Sequence, residues 1–99
     1  AAPTPPAPAT GLRVLVADDE ETIRLARSRY LRLQGYAVEA VGTGEAALAA
    51  LEGVPHALFL CDVRMPGLGG LAAIARAHER DPDLAIVVMS ATLDTGPLE

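Results

Sequence analysis

The sequence predicts an α/β fold in which short parallel strands form a doubly wound sheet with helices on both faces. Short apolar runs alternate along the chain with stretches of helical periodicity, which is the pattern of right-handed strand–helix–strand units. The runs at 12–17, 57–61 and 84–89 are almost continuously apolar, as expected of strands that are buried on both faces. Both patterns indicate a parallel sheet.

The first two predicted strands, at 12–17 and 36–41, flank a helix at about 21–34. Acidic residues open this helix, arginines fill its body and a glycine ends it, which suits the helix dipole. Its residues at helical spacing on one apolar face are Ile23, Ala26, Tyr30 and Leu33. Its four arginines predict a solvent-exposed face, with a docking surface for an acidic partner as the alternative. These arginines are Arg24, Arg27, Arg29 and Arg32.

The second half of the chain repeats the alternation. Thr43 can cap a second helix that runs to about residue 52, where a Gly-Val-Pro sequence breaks it. A strand at 56–61, a Met-Pro-Gly turn and a helix at about 70–80 follow. An Asp-Pro pair ends that helix before a strand at 84–89, and residues 91–99 could begin a fourth helix.

The amino-acid composition predicts one small domain and argues against some kinds of protein and binding partner. Residues 1–11 hold four of the eight prolines and no charge, which predicts a Pro/Ala-rich linker or tail and leaves 12–99 as one small domain. The net charge of −5 argues against nucleic acid as a partner of this segment. No apolar run approaches the roughly 20 residues of a membrane span. The single Cys61 cannot form an internal disulfide, so we expect a cytoplasmic protein.

Three carboxylates follow two of the predicted strands. Asp18 and Asp19 come after the first strand, and Asp62 comes after the third. Because the carboxyl ends of parallel strands share one edge of the sheet, these acids converge where open α/β sheets bind ligands. Clustered carboxylates repel one another unless a cation lies between them, and Mg²⁺ prefers such oxygen ligands. The sequence therefore predicts a divalent cation site at this edge.

The segments that carry the acids also match a known pattern. Residues 14–20 (VLVADDE), 58–67 (LFLCDVRMPG) and 87–91 (VVMSA) together resemble a bacterial response-regulator receiver domain, from about Leu12 to the end of the chain. The resemblance implies a flavodoxin-like sheet with strand order 2-1-3-4. It also implies a phospho-acceptor module of a two-component phosphorelay, whose partner is a histidine kinase or a histidine phosphotransfer protein. Such a module is a signalling domain rather than an enzyme, although it can catalyse its own phosphorylation and dephosphorylation.

The resemblance assigns roles to individual residues. Asp62 would accept the phosphoryl group, Asp19 would bind Mg²⁺ directly, and Asp18 would bind it through water. The backbone carbonyl of Arg64 would complete the protein's share of the coordination. Two further residues would contact the phosphoryl group: the hydroxyl of Ser90 would donate a hydrogen bond to it, and the small Ala91 would leave room for its oxygens.

The sequence departs from the family in two respects. An acidic residue is usual where this chain has Gly69, and the Gly69-Gly70 pair predicts a weakened helix start. The family's fifth strand and helix have no counterpart in the 99 residues, and neither has the lysine that ends the fifth strand. We therefore expect an exposed edge on the fourth strand, which favours self-association through that edge or incomplete folding; the alternative is that the natural protein continues beyond Glu99.

Two other functions remain open at this point. One is a truncated receiver or pseudo-receiver that acts as a protein-interaction or dimerisation module without phosphorylation. The other is an aspartate-nucleophile phosphatase, which also combines a parallel sheet with Mg²⁺. That class places an Asp-x-Asp motif after its first strand and needs a later lysine, whereas this chain has adjacent aspartates and no lysine.

Overall fold

The computed structural model describes residues 12–65 and 69–89, and this part of the chain forms four strands and three helices. The strands form one parallel sheet in the order β2-β1-β3-β4, as predicted. In chain order the elements are β1 (Arg13–Ala17), α1 (Glu21–Leu33), β2 (Ala37–Val41), α2 (Gly44–Gly53), β3 (Leu58–Asp62), α3 (Gly70–Arg80) and β4 (Ala85–Met89). The predicted tail at 1–11 and the predicted helix start at 91–99 lie outside the described residues.

One face of the sheet is covered by α2 and α3. Leu15 and Phe59 are fully buried there, in register on β1 and β3, and Ala47 and Ala73 pack on them from the two helices. The small side chains on the helices let them approach the sheet closely. Thr43 begins α2 as predicted, because its hydroxyl accepts a hydrogen bond from the amide of Ala46 at 3.0 Å.

The other face of the sheet carries α1, and here the sequence prediction was wrong in one respect. Three of the four residues of the predicted apolar stripe are not covered: Tyr30 is 62% exposed, Leu33 is 71% exposed and Ala26 is also exposed, while Ile23 is half-buried. The residue that α1 buries is Ser28, beside the half-buried Leu31. Periodicity identified an apolar stripe but not the element that would cover it.

The open side of α1 continues onto the sheet as an apolar groove. Its lining residues are Ala26, Arg27, Tyr30 and Leu31 on the helix and Leu60 and Met89 on the neighbouring strands. At the edge of the sheet, Val87 and Val88 of β4 are about half exposed, at 45% and 52%. In the part of the chain that the structure describes, β4 pairs only with β3. None of the helices in that part is long and apolar enough to cross a membrane.

Candidate metal centre

The three predicted carboxylates meet at the carboxyl edge of the sheet. Because β1 and β3 are neighbours, with Ala17 in register with Cys61, the residues that follow them lie side by side. One carboxylate oxygen from each of Asp18, Asp19 and Asp62 lies within 4.8 Å of the other two. Asp18 and Asp62 are buried and Asp19 is exposed, so the cluster is fixed on the protein side and open to solvent on the other. Three hard oxygen donors with excess negative charge suit a divalent cation such as Mg²⁺.

Asp18 is held through both of its carboxylate oxygens. Its Oδ1 accepts a hydrogen bond from the amide of Glu20 at 2.9 Å, and its Oδ2 accepts one from Nη1 of Arg27 at 2.8 Å. Burial raises the pKa of Asp18 above its usual 3.8, and the nearby charges of Asp62 and Asp19 act in the same direction. The Glu20 amide and the Arg27 guanidinium oppose this rise in the pKa without cancelling it.

Arginines of α1 reach the site, which sequence reasoning missed. Besides the contact of Arg27, Nη1 of Arg24 donates to the backbone carbonyl of Asp18 at 2.8 Å. Arg32 donates to the carbonyl of Val38 at 3.1 Å, and Arg29 is exposed. The predicted solvent-exposed face is therefore wrong for Arg24 and Arg27, which are half-buried, whereas Arg29 and Arg32 are exposed as predicted. The spacing in the sequence could have indicated these contacts. The helix begins three residues after Asp18, so Arg24 and Arg27 lie in the two helical turns nearest to that aspartate.

The guanidinium of Arg24 also explains a close approach at the end of β2. A Cβ atom at Gly42 would lie 3.1 Å from Nη1 of Arg24, and 3.9 Å from the carbonyl oxygen of Asp18. The arginine thus lies in the narrow space between the loop after β1 and the loop after β2. A side chain at position 42 would compete with it for that space.

Asp62 ends β3, and its carboxylate is oriented by the loop that follows. Its Oδ1 accepts a hydrogen bond from the amide of Arg64 at 3.0 Å, and the amide of Val63 donates to the carbonyl of Met89 at 2.9 Å. The structure thus shows Arg64 contacting the site through its backbone amide, while the role of its carbonyl as a metal ligand stays a prediction. Ser90 and Ala91 lie outside the described residues, and the structure does not test their predicted roles.

The structure explains why glycine occupies positions 69 and 70, which follow this loop. Gly69 adopts φ +86°, a left-handed conformation that disfavours residues with a side chain. Gly70 is the first residue of α3, and a Cβ atom there would lie 2.1 Å from the carbonyl oxygen of Asp62. The helix starts where it was predicted, and the glycine allows it to pack directly against the backbone of the acidic loop.

Comparisons with known proteins agree with this geometry. The family model of the response regulator receiver domain matches residues 14–96. The chain belongs to the response regulator receiver domain family. It is similar to the transcriptional regulatory protein PrrA of Mycobacterium tuberculosis, with 39% identity over 83% of this chain and 35% of PrrA. It is 36% identical to the transcriptional regulator NtrC of Salmonella typhimurium over 82% of this chain and 17% of NtrC. The chain therefore spans only a minor part of these relatives.

Solved structures give the same result. The response regulator TrrA of Thermotoga maritima, crystallised in complex with Mg²⁺ and BeF, matches with a TM-score of 0.78 and 31% identity over 81% of this chain and 70% of that one. A complex of TrrA with the histidine kinase ThkA matches with a TM-score of 0.78 and 28% identity, over 88% of this chain and 76% of that one. The chain is thus a signalling module with the flavodoxin-like receiver fold.

Proposed function

We propose that this chain is the phospho-acceptor module of a two-component phosphorelay, in which Asp62 receives a phosphoryl group from a phosphohistidine. The observation that carries the proposal is the convergence of Asp18, Asp19 and Asp62 within 4.8 Å at the carboxyl edge of the sheet. Membership in the receiver family supports the same function over the phosphatase alternative. The donor would be a histidine kinase or a histidine phosphotransfer protein, as the complex of TrrA with ThkA suggests.

In this proposal the carboxylate of Asp62 is the nucleophile. One of its oxygens forms a bond to phosphorus while the phosphorus–nitrogen bond breaks, and the imidazole of the donor leaves with the electron pair of that bond. Oδ1 already accepts a hydrogen bond from the Arg64 amide, so Oδ2 would be the attacking oxygen. A hydrogen bond from Ser90 would then stabilise the transferred group, and Ala91 would leave space for its oxygens.

The reaction brings an anionic phosphoryl group to an anionic corner, so it needs a cation. Asp19 and Asp62 would hold Mg²⁺ directly, Asp18 would hold it through water, and the carbonyl of Arg64 would be a further ligand. The metal would neutralise charge on the phosphoryl oxygens and on the acid cluster. Exposure of Asp19 beside two buried carboxylates leaves the site open to the metal and to the donor.

A second function, protein interaction without phosphorylation, is favoured by the exposed valines of β4. An edge strand with apolar side chains and unpaired backbone groups is a template for another strand. Val87 and Val88 are half exposed there, and the groove of Tyr30, Leu60 and Met89 adjoins them. Self-association through β4 would cover both surfaces.

Native mass spectrometry with Mg²⁺ and acetyl phosphate tests both functions. We expect one phosphoryl adduct on the wild-type chain, none on Asp62→Asn and none when a chelator replaces Mg²⁺. Asp83→Asn is the matched control, because Asp83 is an exposed carboxylate in the turn before β4. An adduct that persists on Asp62→Asn would disprove the assigned acceptor. A folded dimer that takes up no phosphoryl group would favour the interaction module.

A further inference from the structure

Arg27 forms a direct ion pair with one carboxylate of the candidate metal centre. Its Nη1 lies 2.8 Å from Oδ2 of Asp18, whose side chain is only 2% exposed, whereas the side chain of Arg27 is 35% exposed. The other oxygen of Asp18 accepts the Glu20 amide. A cationic side chain of the protein is therefore paired with the most buried acid of the cluster.

The charge of Arg27 acts on everything that binds in this cluster. A guanidinium stays protonated at all physiological pH values, so its charge is permanent. It lies one hydrogen bond from Asp18, and a metal bound among Asp18, Asp19 and Asp62 would lie only a few ångströms further. Two cations at that separation, partly shielded from solvent, repel one another appreciably. They also draw on the same carboxylate for neutralisation.

Arg24 and Arg27 contact different parts of Asp18. Arg24 binds the backbone carbonyl of Asp18 and leaves the carboxylate alone, so it fixes the loop after β1. Arg27 binds the carboxylate itself. Arg24 therefore positions the backbone of the loop, and Arg27 places a positive charge beside the carboxylate.

We propose that Arg27 is an internal counter-cation of the metal centre, which holds Asp18 when no metal is bound and competes with Mg²⁺ for that carboxylate. The inference rests on the proposed function, since it takes the three aspartates as the Mg²⁺ site. Arg27 weakens the affinity for Mg²⁺ and keeps the metal-free acid corner in a defined geometry. The chain thereby stays folded at its functional edge until the metal arrives.

The test compares Arg27→Met with Arg29→Met. Both substitutions remove one positive charge from α1 and keep an unbranched side chain, but Arg29 is exposed and Arg27 contacts Asp18. Mg²⁺ titrations at constant ionic strength can be followed through the backbone amide of Arg64, which donates to Asp62. We expect Arg27→Met to lower the Kd for Mg²⁺ about tenfold. Arg29→Met should change it less than about twofold, because solvent and salt screen an exposed charge.

The inference would be overturned if the Kd of Arg27→Met for Mg²⁺ equalled that of Arg29→Met. A Kd higher than that of wild type would overturn it as well. If the chain binds Mg²⁺ and is phosphorylated on Asp62, but Arg27→Met leaves the Kd for Mg²⁺ unchanged, this inference fails and the proposed function stands. Absence of Mg²⁺ binding in both wild type and Arg27→Met would remove the proposed metal site and the inference together. Binding by Arg27→Met but not by wild type would support competition directly.

A measurement on the wild-type chain covers the case in which Arg27→Met does not fold. The guanidinium resonances of Arg27 and Arg24 can be followed by nitrogen-15 NMR during the same titration. We expect the Arg27 resonance to shift in step with the Arg64 amide as Mg²⁺ is added, while that of Arg24 changes little. An Arg27 resonance that does not respond to bound Mg²⁺ would contradict the competition.

Discussion

Replacing Gly70 by alanine tests how closely α3 packs against the loop that carries Asp62. A Cβ atom at position 70 would lie 2.1 Å from the carbonyl oxygen of Asp62 and 2.5 Å from Cα of Val63. Non-bonded heavy atoms normally stay about 3.5 Å apart, so the helix start or the loop must move by roughly 1 Å. Both neighbouring atoms belong to the backbone, and no side-chain rotation can relieve the contact.

We expect Gly70→Ala to lower the free energy of unfolding by about 3 kcal/mol, the upper part of the range for overpacked sites. Urea unfolding followed by circular dichroism measures this loss. Gly53→Ala is the matched control, because Gly53 ends α2 and no atom beyond its neighbouring residues and the backbone of its own helix lies within 4 Å of the Cβ position. The control should be neutral or stabilising by about 0.5 kcal/mol, since alanine is the better helix former. Equal stabilities for the two variants would refute the packing argument.

Three further predictions concern single residues. Thr43→Ala removes the hydroxyl that accepts from Ala46 and should cost about 1 kcal/mol in urea unfolding, so an unchanged midpoint would mean that this cap is dispensable. Burial raises the pKa of Cys61 to about 12, so its thiol should resist a disulfide reagent at pH 8 until urea unfolds the chain, and rapid labelling of the native protein would contradict this. The folded-state pKa of Asp18 lies above its ordinary 3.8, so without metal its protonation contributes stability below about pH 4 that is lost as the pH rises through the folded-state pKa. The stability of Asp18→Asn relative to wild type should therefore increase from pH 4 to pH 7, and a difference that does not change with pH would disprove the shift.

Strand identity and the position of the acid cluster were predictable from the sequence. The apolar runs and their alternation with helical stretches located all four strands to within two residues, as with β3, predicted at 56–61 and found at Leu58–Asp62. Parallel topology then required the ends of β1 and β3 to lie at one edge, which brought Asp18 and Asp62 together without any knowledge of side-chain packing. Predictions of this kind depend on the topology of the backbone alone.

The orientation of α1 was not predictable in the same way. Apolar spacing marked the side with Ala26 and Tyr30 as the packing face, but the structure buries Ser28 instead, so the helix is rotated away from that side. That rotation turns Arg24 and Arg27 toward Asp18 and leaves the apolar stripe beside the open groove. Local sequence reports which side chains are apolar, whereas contacts across the fold decide which of them are covered.

The acid corner combines features that oppose folding with features that permit function. Burying Asp18 beside two other carboxylates disfavours its charged form, as the raised pKa records. The chain offsets this with donors that need no metal: the Glu20 amide and Arg27 for Asp18, and the Arg64 amide for Asp62. These donors bind both carboxylate oxygens of Asp18 and Oδ1 of Asp62, whereas Asp19 is exposed to solvent. The remaining negative charge therefore faces solvent, as the proposed binding of a divalent cation together with an anionic phosphoryl group requires.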